Sequence, residues 1–167
     1  MALTIAELAL GGGTLAISPM PGRGGAYHSD LRDLLGFGPD LVLTMTTGEE
    51  LASKEAETLP ADLASNDIVW LHLPIVDFGA PGVATAALWP EASIRAREVL
   101  AKGGKVLVHC MGGCGRSGMA ALRLMVEAGE EPSAALQRLR AVRPCAVEMP
   151  EQFDWAAAGG ALQRTLR

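Results

Sequence analysis

Short apolar runs alternate with stretches of helical spacing along the chain, and Gly or Pro separates most of them. Leu15-Ala16-Ile17, after a triple glycine, reads as a short strand. It ends at Ser18-Pro19-Met20-Pro21-Gly22-Arg23-Gly24-Gly25, which is too rich in Pro and Gly to be anything but loop. From His28 to Leu35 the apolar positions Leu31, Leu34 and Leu35 predict a helix stopped by Gly36 and Gly38. Asp40 to Met45 reads as a buried strand. Thr47 to Leu51 starts a helix, with Thr47 as its cap and Glu49-Glu50 complementing the positive end of the dipole. Ile68 to Leu73 is the next strand, cut off by Pro74 and followed by a loop to Pro81. A long helix is predicted from Thr85 to Lys102. Lys105-Val106-Leu107-Val108-His109 has the near-continuous apolar character of a strand buried on both faces of a parallel sheet. Further helices follow over Ser117 to Ala128, over Pro132 to Arg143, and from Pro150 onward, the last carrying Phe153, Trp155 and Leu162. The alternation predicts an α/β fold, a central mostly parallel sheet flanked by helices, in a single domain spanning residues 1–167.

Charge narrows the partners. With 14 Lys and Arg against 19 Asp and Glu, the net charge of −5 argues against binding nucleic acid through its backbone phosphates. Any anion site must therefore be local. No run approaches the ~20 apolar residues needed to span a bilayer, so no membrane partner is expected. Three cysteines, Cys110, Cys114 and Cys145, are too few and too uneven for a disulfide framework, and a reducing cytoplasm is the default expectation. Cys145 reads as a small buried hydrophobe. The three histidines form no zinc pattern with the cysteines, so no metal and no cofactor are expected. His28 reads as a surface residue and His72 as a structural one. The chain is expected to act as a monomer.

The candidate chemistry lies in His109-Cys110-Met111-Gly112-Gly113-Cys114-Gly115-Arg116-Ser117, between a buried strand and a helix. A glycine-rich turn in that setting aims successive backbone N–H groups at an oxyanion, and the helix adds its unpaired amides and dipole. Met111, Gly112, Gly113, Cys114 and Gly115 would form the phosphate bowl, with Cys110 at its floor and Arg116 at its rim. Arg suits the rim because its planar fork bonds two phosphoryl oxygens while staying charged. The field that holds a phosphate also favours the thiolate of Cys110. His109 points away from the bowl if the strand alternates, where it would fix loop carbonyls or favour the thiolate. Ser117, in the first helical turn, would reach the sulfur and stabilise it as a leaving group. Asp77, in the Gly- and Pro-containing loop 33 residues before Cys110, is the candidate proton donor.

These residues resemble the H-C-x5-R-[S/T] signature of the protein tyrosine phosphatase superfamily. The chain is similar to its compact dual-specificity branch, and within that to the cyclin-dependent kinase inhibitor 3, or kinase-associated phosphatase, type. Met20-Pro21-Gly22 resembles that type's Leu-Pro-Gly, and His72-Leu73-Pro74-Ile75-Val76-Asp77 its His-x-Pro-Ile-x-Asp. The resemblance implies a phosphocysteine mechanism with Asp77 as general acid. It also implies that Gln152 positions water in the second step, or that Asp77 itself serves as the base. The substrate implied is a phosphorylated protein or peptide, bearing phosphotyrosine and, by the dual specificity of that branch, phosphoserine or phosphothreonine as well, with inorganic phosphate or a similar oxyanion able to occupy the loop.

Other readings stand beside these. Asp77 can merely cap a turn, and Gln152 can be an ordinary helix residue. Cys114 either fills the loop or pairs transiently with Cys110 on oxidation. A phosphoinositide or inositol phosphate substrate is disfavoured by the absence of Lys between Cys110 and Arg116, and a phosphate-binding module without turnover by the presence of both residues.

Overall fold

The computed structural model describes residues 2–160. The chain opens with a hairpin in which β1 (Ala6–Leu10) and β2 (Gly13–Ser18) pair antiparallel. Its turn, Gly11-Gly12, has φ of 60° and 95°, two successive left-handed angles that favour glycine. Then come α1 (Tyr27–Phe37), β3 (Leu41–Thr44), α2 (Gly48–Ser53), α3 (Leu59–Ala64) and β4 (Val69–His72). They are followed by α4 (Val83–Ala101), β5 (Lys105–His109), α5 (Gly115–Glu127), α6 (Pro132–Val142) and α7 (Pro150–Ala157). The five strands form one sheet in the order β1-β2-β5-β3-β4, and every pairing except β1 with β2 is parallel. This is the mostly parallel α/β architecture expected from the apolar pattern.

Two elements were missed by that pattern. β1 is an edge strand that buries Leu8 and Leu10 and exposes Glu7 and Ala9, a period-two signal hidden beside the glycine run. α3 is a single short helix with Pro60 in its first turn. Leu162, assigned to the last helix, lies outside the described residues.

β5 runs through the middle of the sheet, and its side chains alternate between two cores. Leu107 joins Met20, Val42, Leu34 of α1, Leu51 of α2, and Leu59 and Leu63 of α3 on one face. Val106 and Val108 join Leu15, Ile17, Leu41 and Leu43 on the other, under α4, α5 and α6. α5 is buried almost all round, including Met119, Leu122 and Leu124. The buried carboxylate of Glu127 near its end accepts from Trp89 Nε1 and Arg123 Nε, both at 2.9 Å, and from Ser93 Oγ. Burying a carboxyl group at that depth is costly unless its oxygens are hydrogen-bonded, and these three donors meet that need. Among the described residues no helix is long and apolar enough to cross a membrane.

The topology places the site. β2, β5, β3 and β4 are mutually parallel, so the segments after them emerge at one edge of the sheet, beside the central strand. They carry Arg23, Cys110 to Arg116, Glu50 and Asp77 respectively.

Candidate active site

Cys110 follows the last residue of β5 and is 3% exposed, and it is the one free cysteine among the described residues. Ser117, in the first turn of α5, sets its Oγ 3.2 Å from the Cys110 sulfur. A hydroxyl at that distance can donate to a thiolate.

Each carbonyl of the loop from Cys110 to Cys114 finds a donor. Cys110 O accepts from His109 Nδ1 at 3.2 Å and Met111 O from the Met20 N–H at 3.1 Å. Gly112 O and Gly113 O accept from Nη2 and Nε of Arg143 at 3.0 and 2.9 Å. Cys114 O accepts from the N–H groups of Gly118 and Val147. Every peptide bond described is trans, so each N–H points opposite to the carbonyl before it. The N–H groups from Met111 to Gly115 therefore face the opposite way, and among the described residues none of them meets a protein acceptor. Donors left without partners around a sulfur make an oxyanion cradle. The glycines keep it open and close to its supports. Gly113 has φ 72°, and a Cβ there would lie 2.6 Å from the backbone nitrogen of Pro19. A Cβ on Gly115 would collide with the Glu148 carboxylate.

His109 is fully buried. Its Nδ1–H is fixed by the Cys110 carbonyl, which can only accept, so Nε2 accepts from the Thr44 hydroxyl at 2.6 Å. Thr44 Oγ1 in turn receives Trp70 Nε1–H at 2.7 Å. Burial pushes the imidazole down to about 4, so it is neutral at ordinary pH. Its place is behind the loop, on the Cys110 carbonyl. His72 is held by the Thr46 carbonyl at 2.7 Å and stacks on Trp70.

Arg116 is 1% exposed. Its two terminal nitrogens bond the two oxygens of Glu50 at 2.7 and 2.8 Å, and Nη1 also donates to Ile75 O at 2.8 Å. Nε–H is buried without a partner, and next to it Nη2 stands 3.3 Å from Asp77 Oδ1. One edge of the guanidinium is thus anchored by Glu50, while on the other Nη2 faces the half-exposed Asp77 carboxyl and Nε–H has no partner. Burial works against the charge of Arg116. The Glu50 hydrogen bonds and the negative charges of Cys110, Glu50 and Asp77 outweigh it and hold the guanidinium above its ordinary value. The same pair, chiefly through the Arg116 hydrogen bonds, holds the Glu50 carboxyl below the usual range. Glu50 meanwhile completes a capping box with Thr47 at the start of α2. From sequence Glu50 reads only as a dipole complement; its partner is 66 residues away.

Asp77 lies on the exposed loop after β4, with a half-exposed side chain that also accepts from the Phe78 N–H. Gln152 is fully buried at the start of α7. Its oxygen accepts from the N–H groups of Glu148 and Met149, and its nitrogen donates to Gly79 O at 3.2 Å. That contact ties the Asp77 loop to α7 and occupies most of the amide to which the family resemblance gives a water-positioning role. Met111 packs its side chain against the core on the α1 face and leaves only its backbone for the bowl.

The cysteines require a correction. Cys145 is not a buried hydrophobe: it is exposed and joined to Cys114 in a disulfide. Cys114 therefore neither merely fills the loop nor awaits Cys110. The chain from α6 turns back along the outside of the loop, so that Arg143, Cys145 and Val147 all grip it within five residues. The disulfide also removes the cysteine-based argument for a reducing compartment. Arg143 had no signal of its own in the sequence beyond the Arg-Pro dipeptide at a helix end.

Known proteins resemble this arrangement. The profile of the family described as "Polymorphic toxin system, DSP-PTPase phosphatase" matches residues 19–130. Mouse cyclin-dependent kinase inhibitor 3 is 31% identical over 130 residues, which cover 77% of this chain and 60% of that protein. The chain thus spans about three fifths of the length of that curated relative. A crystal structure of kinase associated phosphatase, with its catalytic-site cysteine changed to serine, superposes with a TM-score of 0.84 at 23% identity, covering 98% of this chain and 97% of that one. The structure of PTPMT1 in complex with PI(5)P superposes with a TM-score of 0.77 at 17% identity, covering 96% and 97%. At those identities the two superpositions speak for the fold alone.

Proposed function

The chain belongs to the DSP-PTPase phosphatase family, and from that premise we propose that it hydrolyses phosphomonoesters of proteins, phosphotyrosine foremost, through a phosphocysteine at Cys110. The observation that carries this reading is the run of loop N–H groups from Met111 to Gly115 without a protein acceptor, together with the buried, unpartnered Nε–H of Arg116 and the Ser117 hydroxyl against the Cys110 sulfur.

The thiolate of Cys110 attacks phosphorus in line with the ester oxygen; the S–P bond forms and the P–O bond breaks. The Asp77 carboxyl gives its proton to the departing oxygen. Loop amides and Arg116 hold the equatorial oxygens, while Ser117 donates to the sulfur. Water then attacks phosphorus, its proton passes to the Asp77 carboxylate, and the S–P bond breaks to return the thiolate and release phosphate. The relatives named for a kinase partner support a phosphoprotein substrate, as do the neutral side chains between Cys110 and Arg116.

Turnover of p-nitrophenyl phosphate and of a phosphopeptide panel, scored beside phosphoinositides, tests the reading. Cys110→Ser is expected to abolish turnover while still binding phosphopeptide. Asp77→Ala is expected to slow alkyl phosphates far more than aryl ones, whose leaving groups need less protonation. Tight phosphopeptide binding with no turnover by the wild-type protein would make it a binding module instead, and preferential turnover of phosphoinositides would move the substrate to lipid.

A further inference from the structure

The bowl itself contains no cation besides Arg116, yet a second guanidinium stands at its edge. A Cβ on Gly112 would lie 3.7 Å from the central carbon of the Arg23 guanidinium and 3.7 Å from both of its terminal nitrogens. Equal distances to all three atoms mean that the face of the group is turned to Gly112. Its N–H edges then radiate beside the bowl. Arg23 is exposed, and among the described residues its guanidinium has no hydrogen bond and no ion pair.

Its backbone, in contrast, is firmly placed. The Gly22 N–H donates to the buried carboxylate of Asp30 at 2.9 Å, and the Arg23 N–H to Met20 O at 3.1 Å. Met20 in turn is bonded to Met111 of the phosphate loop, so the turn and the bowl share one backbone network. Gly22 has φ 91°, and a Cβ there would come within 3.0 Å of Lys54 O. The opposite side of the mouth is the Asp77 loop, where Val76 and Phe78 are 75% and 54% exposed.

We propose that Arg23 is a specificity residue that binds a carboxylate of the substrate next to the phosphorylated residue, so that the site selects phosphopeptides with an acidic neighbour. This rests on the phosphatase reading and extends it. A planar fork with free N–H edges matches a carboxylate in two-point geometry. The exposed apolar residues across the mouth suit a peptide side chain better than a polyphosphorylated ring. In a chain of net charge −5, an unpaired cation on a fixed turn also supplies a local attraction that the rest of the surface opposes.

The test is binding to the Cys110→Ser protein, read by fluorescence polarisation with two phosphotyrosine peptides that carry Glu or Ala on both sides of the phosphorylated residue. The Glu-flanked peptide is expected to bind ~5- to 10-fold more tightly, as for a partly exposed two-point ion pair. Arg23→Ala should erase the difference, Arg23→Lys should keep part of it, and Arg23→Glu should reverse it. Equal weakening of both peptides by Arg23→Ala would place the guanidinium on the scissile phosphate and overturn the proposal. So would an unchanged ratio. Binding needs no turnover, so failure of this inference is distinct from failure of wild-type turnover on p-nitrophenyl phosphate.

Discussion

Glu50 closes both of its oxygens on the terminal nitrogens of Arg116, at 2.7 and 2.8 Å, and thereby decides which edge of the guanidinium faces the bowl. The Nε–H left unpartnered in the interior is the complement of that clamp. The fork is preorganised, so in the proposed reaction its donors would need no reorientation as charge builds up on a phosphoryl group.

Glu50→Gln keeps an oxygen for the α2 cap but offers Arg116 one side-chain acceptor in place of two, beside the Ile75 carbonyl. Loss of one charge-assisted hydrogen bond, about 1.5–3 kcal/mol, is expected to lower kcat/KM for p-nitrophenyl phosphate ~10- to 100-fold. Steady-state kinetics beside a thermal melt check it; the melting temperature should fall far less than in Glu50→Ala, which also loses the cap.

Arg143 supports the bowl from behind through Gly112 O and Gly113 O. Without it, those carbonyls are free to rotate and to carry their neighbouring N–H groups out of the cradle. Arg143→Met is expected to weaken binding of inorganic phosphate at least about 10-fold, the effect of losing two hydrogen bonds from a charged donor. Isothermal titration of the variant and the wild type with phosphate measures the difference.

The disulfide from Cys114 to Cys145 closes a segment with a sequence separation of 31 residues that includes α5 and α6. Loop-closure entropy for that length gives about 3–4 kcal/mol of stabilisation. Reductant and Cys145→Ser are each expected to lower the melting temperature, and reductant should have no further effect on the variant. Denaturation curves with and without dithiothreitol provide the check.

His109 remains neutral down to about 4 because burial opposes the imidazolium. In the unfolded chain the same ring titrates near ~6.5. Between those values the unfolded state takes up a proton that the folded state refuses, so this stabilisation is intact above ~6.5 and is lost as pH falls toward 4. The interval corresponds to roughly 3 kcal/mol. Denaturant midpoints at pH 7.5 and 4.5 should differ accordingly, and His109→Asn, whose amide can still donate to the Cys110 carbonyl, should lack this component.

Features encoded by neighbouring residues were legible in the amino-acid sequence. Lys105 to His109 is apolar enough to be a buried strand, and the glycines after Cys110 permit one compact turn into α5, so strand, loop and helix follow from contiguous residues. Thr47 as the cap of α2 is equally local. β1 escaped notice because five residues of alternation beside a glycine turn carry little signal.

Features that depend on distant segments meeting were decided only by the tertiary structure. Glu50, judged by its neighbours, complements a helix dipole; it becomes the anchor of Arg116 because β3 and β5 run side by side and deliver both residues to one edge of the sheet. Cys145 reads as a small buried hydrophobe from its neighbours alone; it becomes an exposed half of a disulfide because the chain leaving α6 folds back against the loop after Cys110. Local preferences fix backbone angles and the order of elements, whereas side-chain partners across the molecule are set by packing of the two cores on either side of β5. Cys110 could thus be singled out from a nine-residue stretch, but the groups that hold its loop in shape come from four other parts of the chain.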